Sequence, residues 1–253
     1  MIDRKLAGLG VAIMLLIGGV QGGIATAAPA CPGTLPQGSD PVTLDPADFV
    51  ARIDNPYLPF PRGARRLYRE TDPTGSSQKV TVTVTTHTKQ ILGIAATVVH
   101  DVVTDKGHLV ENTFDWYAQD TCGNVWYLGE NTKEYENGKV VSTAGSWEAG
   151  ADGAQPGVVM PADRQVGLSY RQEYLAGEAE DNAEILSLVE QAQVPFGHFR
   201  DVVLTKETTP LHRRILEYKL YAKGTGVVLA LSVSGGSDRE ELIRFAPPSA
   251  YSP

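Results

Sequence analysis

Hydrophobic and polar positions alternate with period two through most of residues 79–120, and that period predicts strands. KVTVTVTTHT, from Lys79, alternates strictly, and IAATVVHDVV, from Ile94, is rich in β-branched residues. LVENTFDWYAQD, from Leu109, sets Val110, Asn112, Phe114, Trp116 and Ala118 on one side and Glu111, Thr113, Asp115, Tyr117 and Gln119 on the other. The first side is expected to face the core, with Trp126 pairing across to Trp116, and the second to form an outer, polar face. Asp105-Lys106-Gly107 and Glu136-Asn137-Gly138-Lys139 carry the residues of tight hairpin turns. AEDNAEILSLVEQA places Ile185, Leu188 and Val189 on a helical stripe, but ILSLVEQAQV also alternates, and we read it as a strand. The prolines of residues 32–61 exclude long elements there, leaving room for one short helix capped by Asp45 with Pro46 at its first position.

The strands recur in order. FPRGARRLYRE from Phe60 is echoed by RQVGLSYRQEY from Arg164, so that Gly63 matches Gly167 and Tyr68-Arg69 matches Tyr170-Arg171. Further on, Gly93 matches Gly197, Asp101–Thr104 matches Asp201–Thr205, and Tyr117-Ala118 matches Tyr221-Ala222, at offsets near 100 to 104. The expected organisation is therefore a degenerate internal repeat, 60–130 and 164–231, joined by a loop-rich insert, 131–163. Each copy supplies about five strands and cannot bury its apolar face alone. The fold class is mainly β: a duplicated antiparallel meander forming one large curved sheet, an open barrel or a two-sheet sandwich.

The start of the chain changes where that fold begins. Arg4 and Lys5 precede an apolar run from Leu6 to about Val20, followed by small residues with Ala-x-Ala choices near Ala25–Ala30. This is the pattern of a cleaved export signal over residues 1–30, and the run is too short and glycine-rich for a stable membrane span. The remainder, 31–253, reads as a single exported β domain, secreted or held in the extracytoplasmic envelope. The two cysteines, Cys31 and Cys122, are expected to pair in that oxidising setting. The chain has 22 Lys plus Arg against 30 Asp plus Glu, for a net charge of -8, and no basic patch, which argues against a nucleic-acid partner.

Candidate chemistry is sparse. There is no P-loop, dinucleotide fingerprint, G-x-S-x-G elbow or H-E-x-x-H, and the five histidines, at 87, 100, 108, 198 and 212, are dispersed. No cofactor is expected, although calcium could be held by carboxylates and carbonyls near Glu148 and Asp152, where the full loop spacing for that ion is missing. Paired carboxylates could cleave glycosides if brought to the right separation. The candidates for that role are Glu111, Asp115, Glu148, Glu173 and Glu217. Trp147, in the glycine-rich GSWEAGADG, is expected at the rim of a pocket with Tyr117, Gln119, Tyr170 and Arg171, where a ring can stack on a sugar while carboxylates accept its hydroxyls.

HDVVTDKGHLVENTFDWYAQDTCGNVWYLGENTKEYENGK, GSWEAGADGAQPGVVMP and SYRQEYLAGEAED resemble motifs of a family of secreted, largely uncharacterised actinobacterial proteins, over about residues 50–245. That resemblance implies export but no activity. VPFGHFRDVVLTK followed by YAKGTGVV is similar to signatures of exported β domains related in shape to lipoprotein carriers, in which a curved sheet wraps an apolar ligand or a helix. Phe196 stands where a smaller residue usually precedes the glycine. The leading expectation is a secreted protein binding an apolar or carbohydrate-like small molecule or glycan. A carboxylate-dependent extracellular hydrolase or lyase and a structural cell-envelope module are the alternatives.

Overall fold

The computed structural model describes residues 34–248. Asp45 caps a 3-10 turn, Pro46–Asp48, by accepting the Ala47 N–H, and the chain then enters strand β1 (Phe49–Val50). Five strands follow as a meander: β2 (Arg65–Thr71), β3 (Ser77–Ile91), β4 (Ile94–Asp105), β5 (His108–Asp120) and β6 (Val125–Asn131). The expected insert holds short strands, β7 (Glu134–Glu136), β8 (Lys139–Ser142) and β9 (Trp147–Glu148), and then β10 (Gln155–Met160). A second meander comprises β11 (Ser169–Arg171), β12 (Glu173–Tyr174), β13 (Asn182–Val194), β14 (Gly197–Thr208), β15 (Leu216–Ala222) and β16 (Gly226–Ser234), and β17 (Arg239–Ala246) ends the fold. The ambiguous 179–192 segment is thus a strand over most of its length.

The strands form a nearly closed antiparallel barrel. One arc runs β2-β3-β4-β5-β6-β10, and the other runs β13-β14-β15-β16-β17 and pairs back onto β2. The arcs meet at a seam. There β11 pairs with β13, while β12 pairs with β10 through only Gln155↔Tyr174 and Pro156↔Glu173. Of the three architectures the sequence left open, the structure is the open barrel. Pro156 and Gly157 disguise β10 in the sequence, because neither residue favours a strand interior.

The two meanders open on the same turn. Gly63 N–H donates to Val84 O and Ala64 N–H to Pro61 O; Gly167 N–H donates to Ile185 O and Leu168 N–H to Gln165 O. Both glycines sit at φ +87°, a conformation costly for any residue with a Cβ. In each meander a long hairpin follows, and the hairpins differ in how they bend. β3 and β4 shift register once, between Val84 and Thr88, whereas β13 and β14 shift three times between Ile185 and Ala192. Those irregularities carry the second hairpin's tip against β17, where Phe196 N–H donates to Leu242 O.

The largest core cluster lies along β3–β6, β10 and the crossing segment 53–60, and includes Ile53, Val84, Ile91, Ile94, Trp116, Trp126, Leu128, Trp147, Val158 and Met160. Burying each such large apolar side chain contributes roughly 1.5–3 kcal/mol. The expected pairing of Trp126 with Trp116 is not made. Trp126 stands opposite Ala118 and meets Phe49 edge-on at 6.4 Å. Phe114, expected in the core, is 36% exposed and stacks on His100.

The bridge expected between Cys31 and Cys122 does not stand as a feature of the described structure. Cys31 and the signal segment lie outside the described residues, so the pairing lies outside them too. Cys122, in the turn between β5 and β6, is not a free cysteine. Among the described residues no helix is long and apolar enough to cross a membrane.

Candidate functional site

The strand β5 face that reads as an outer face is turned inward. Its register with β4 places Asp115 opposite Val99 and Thr113 opposite Asp101, and Asp101 continues through Val82 on β3 to Arg66 on β2. A second row runs from Lys219 on β15 through Ala230 and Glu240 to Glu70 on β2. Members of both rows border a space inside the barrel. That space is a cavity of about 220 Å³ lined by Asp101, Asp115, Lys219, Glu240, Arg66 and Gln172, by the rings of Phe60, Tyr68, Tyr117 and Tyr221, and by aliphatic side chains including Val82, Val99 and Val227.

A chain of aromatic rings runs from the cavity wall, at Phe60 and Tyr117, into the core behind it. Phe60 stacks on Tyr117 at 4.8 Å, Tyr117 stacks on Tyr127 at 4.8 Å, and Tyr127 meets Trp147 edge-on at 5.3 Å. Trp147 is therefore not in a flexible rim. It is 4% exposed in β9, beside Glu130 of β6, and its indole N–H donates to Glu173 Oε2 at 2.8 Å. Its glycine-rich surroundings serve close packing: at Gly129 (φ +131°) a Cβ would fall 2.3 Å from the Trp147 carbonyl oxygen.

The carboxylates around the lumen hold their protons unusually firmly. Burial, opposed in part by the Tyr127 hydroxyl, raises Asp115 to about 6. Burial and then the charge of Asp115 raise Glu130 to about 8. Glu173 is raised to about 8 by burial and by Asp181, and Glu240 to about 7 by burial and by Glu70. Burial, Asp115 and Glu240 together push Asp101 well above the ordinary carboxylate range. The lumen's ammonium, Lys219, is already engaged, 2.7 Å from Glu207 Oε2 and 3.2 Å from Glu217 Oε2. Burial works against its charge, but those two carboxylates outweigh burial and hold it protonated.

Two polar atoms in this wall have no partner. Asp101 Oδ1 is buried without a hydrogen bond, and so is Arg66 Nη1. Arg66 is 2% exposed and otherwise well held. Its Nε donates to Thr225 O, its Nη2 donates to Pro59 O, and its guanidinium lies 5.6 Å from the Phe60 ring and 5.2 Å from that of Phe245. A buried unsatisfied donor or acceptor costs about 1–3 kcal/mol, so such atoms call for an explanation.

The other sequence candidates separate into different places. Glu111 accepts from Thr113 Oγ1 at 2.8 Å, and Glu217 accompanies Lys219. Glu148 is taken by Lys89 at 2.6 Å, and that ammonium also lies 3.3 Å from the centre of the Trp116 ring. Gln119 clamps the 53–60 segment, accepting the N–H groups of Asp54 and Asn55 and donating to Asp54 Oδ1. Arg171, 1% exposed, donates to the carbonyls of Gly38, Asp40 and Pro156 and so fastens the seam. Tyr170 is fully buried in the core, with its hydroxyl unpartnered. Asp152 occupies a turn at φ +51°, and among the described residues no group of three or more acidic, histidine or cysteine side chains could hold a metal ion.

Sequence reasoning missed Arg66, Asp101, Lys219 and Glu240. Each sits in an ordinary alternating strand, and only the closed register brings them to one space.

No family model matches the chain, and no curated protein matches it. Two solved structures resemble it in shape. One is a Bacteroides fragilis protein described provisionally as exported with a YmcC-like fold, at 14% identity and TM-score 0.44, covering 75% of this chain and 98% of its own. The other is a Parabacteroides distasonis protein described provisionally as a lipoprotein, at 12% identity and TM-score 0.42 with the same coverages. Likeness at this level identifies neither a family nor a function.

Proposed function

We propose that this is an exported ligand-binding protein whose barrel lumen takes a small, carbohydrate-like molecule. The observation that carries the reading is the cavity wall itself, where stacked aromatic rings stand beside charged groups and two buried polar atoms, Arg66 Nη1 and Asp101 Oδ1, await partners. Arg66 and Asp101 share a cross-strand row two strands apart, so their backbones are separated by roughly 10 Å. A hydroxylated ring can accept from one and donate to the other while lying along the edge of the Phe60–Tyr117 stack. A purely apolar ligand is a poorer fit, because it would strip water from Asp101, Asp115 and Glu240 and return no hydrogen bonds. The volume, about 220 Å³, is below the roughly 300–1,000 Å³ of pockets for drug-sized ligands, which favours a monosaccharide-sized molecule.

The reading treats the barrel as two copies of one meander. Under that alignment Tyr117 and Tyr221 are equivalents, both on the cavity wall, and so are Asp115 and Lys219, where the copies have diverged to opposite charges. Export rests on the leader pattern of residues 1–30.

A panel of neutral monosaccharides and polyols, titrated by calorimetry and thermal shift, tests the proposal. At least one should bind, and Tyr117→Ala should weaken it about tenfold or more, in line with the loss of a ring from the cavity wall. Fatty acids binding in place of every sugar would overturn it. One observation favours a hydrolytic second reading: Asp101 and Asp115 are diagonal neighbours, roughly 7–8 Å apart along the backbone and somewhat closer at Cβ, with Asp115 raised to about 6. Turnover of a glycoside in the same panel would favour that reading over simple binding.

A further inference from the structure

We propose that the lumenal ligand carries a protonated amine, seated against Asp101 and within the field of Asp115 and Glu240, as an amino sugar would. This rests on the binding reading above and narrows it. The three carboxyls project from three different strands, β4, β5 and β17, into one cavity. Among the described residues none of the three has an ion pair within 4 Å. The cavity's own cations are committed elsewhere: Lys219 to Glu207 and Glu217, and Arg66 to two backbone carbonyls between two aromatic rings.

Acidic groups alone would not define a site. What points to a ligand here is Asp101 Oδ1, buried in the cavity wall with no donor, together with the unpartnered Arg66 Nη1. An ammonium supplies the missing donors to Asp101 and replaces the protons that keep the crowded carboxyls neutral in the unliganded protein, which leave as it binds. A hydroxyl elsewhere on the same small molecule supplies the acceptor for Arg66. The rings of Tyr68 and Tyr221 on the cavity wall suit a cation as well as a sugar ring. A bare divalent ion is the poorer occupant, because the carboxyls are dispersed on separate walls among aliphatic side chains and form no ligating group of three.

The test uses matched pairs: glucosamine with glucose, galactosamine with galactose, and mannosamine with mannose, each titrated against the mature protein near pH 7. At least one amine should bind tenfold or more tightly than its parent sugar. Asp101→Asn and Glu240→Gln, which keep side-chain shape but cannot ionise, should each reduce that ratio several-fold, with circular dichroism checking that the variants fold. Parent sugars that bind as tightly as their amines, or ratios unmoved in both folded variants, would overturn the inference and leave the proposed function standing. If no member of any pair binds, both fail.

Discussion

Tyr127 has one hydroxyl proton, and its oxygen lies 2.7 Å from Asp115 Oδ1 and 2.9 Å from Glu130 Oε2. Both contacts can be hydrogen bonds only if a second proton is present, and the residue holding it is Glu130, raised to about 8. The same logic extends to Glu173, at about 8, and Glu240, at about 7. A carboxyl with a raised folded pKa binds its proton more tightly in the fold than in the unfolded chain. Its contribution to stability is fully present below the unfolded value, near 4.5, and is lost as pH rises through the folded value. The unliganded protein should therefore melt at a lower temperature at pH 8 than at pH 5. One pKa unit is about 1.36 kcal/mol, and 1 kcal/mol moves the midpoint of a domain this size by roughly 2–4 °C, so a drop of at least about 4 °C is expected. Glu130→Gln should flatten part of the slope. A melting temperature that is level or rises between pH 5 and 8 would show that these groups titrate normally. None of this is visible in the sequence, where Asp115 looks like a residue of a solvated sheet face.

At the scale of elements, the turns and strands were legible and the direction of the faces was not. Asn137 and Gly138 take the positive φ values, 51° and 74°, that their dipeptide advertises, and Lys106 with Gly107 does the same. Alternation located β3, β4 and β5, but period two fixes only which residues share a face, not which face is inside. Strand β5 was assigned by polarity, and polarity misleads when a sheet closes around a polar cavity. The closing strand β10 was hidden by its Pro156-Gly157, yet the glycine is required there. A Cβ at position 157 would fall 2.2 Å from the carbonyl carbon and oxygen of Gln172 and 2.7 Å from Arg171 O, all backbone atoms that cannot turn aside. Gly157→Ala should destabilise the protein by about 1–3 kcal/mol in urea unfolding. It should also speed amide exchange in β10 and β12 before the rest of the barrel. An alanine variant as stable as the parent, with unchanged exchange, would mean that the seam is not closed by this backbone contact.

At the scale of the whole molecule, the barrel gathers groups far apart in the chain: Arg66 and Asp101 from the first meander, Lys219 from the second, and Glu240 from the final strand. Inward-facing positions of those strands, polar and aliphatic together, line the lumen. The lumen is left with paired charges around Lys219 and unpaired polar atoms at Arg66 and Asp101, an arrangement that suits an occupant better than an empty space. The most direct test is native mass spectrometry of protein recovered from the culture medium or envelope of its own host, followed by extraction and identification of whatever it retains. A single small hydroxylated or amine-bearing molecule, bound one to one by the wild type and depleted in Asp101→Asn, is the expected result. Wild-type protein that carries no small molecule and shows no stabilisation by any sugar, polyol or amino sugar would contradict the account.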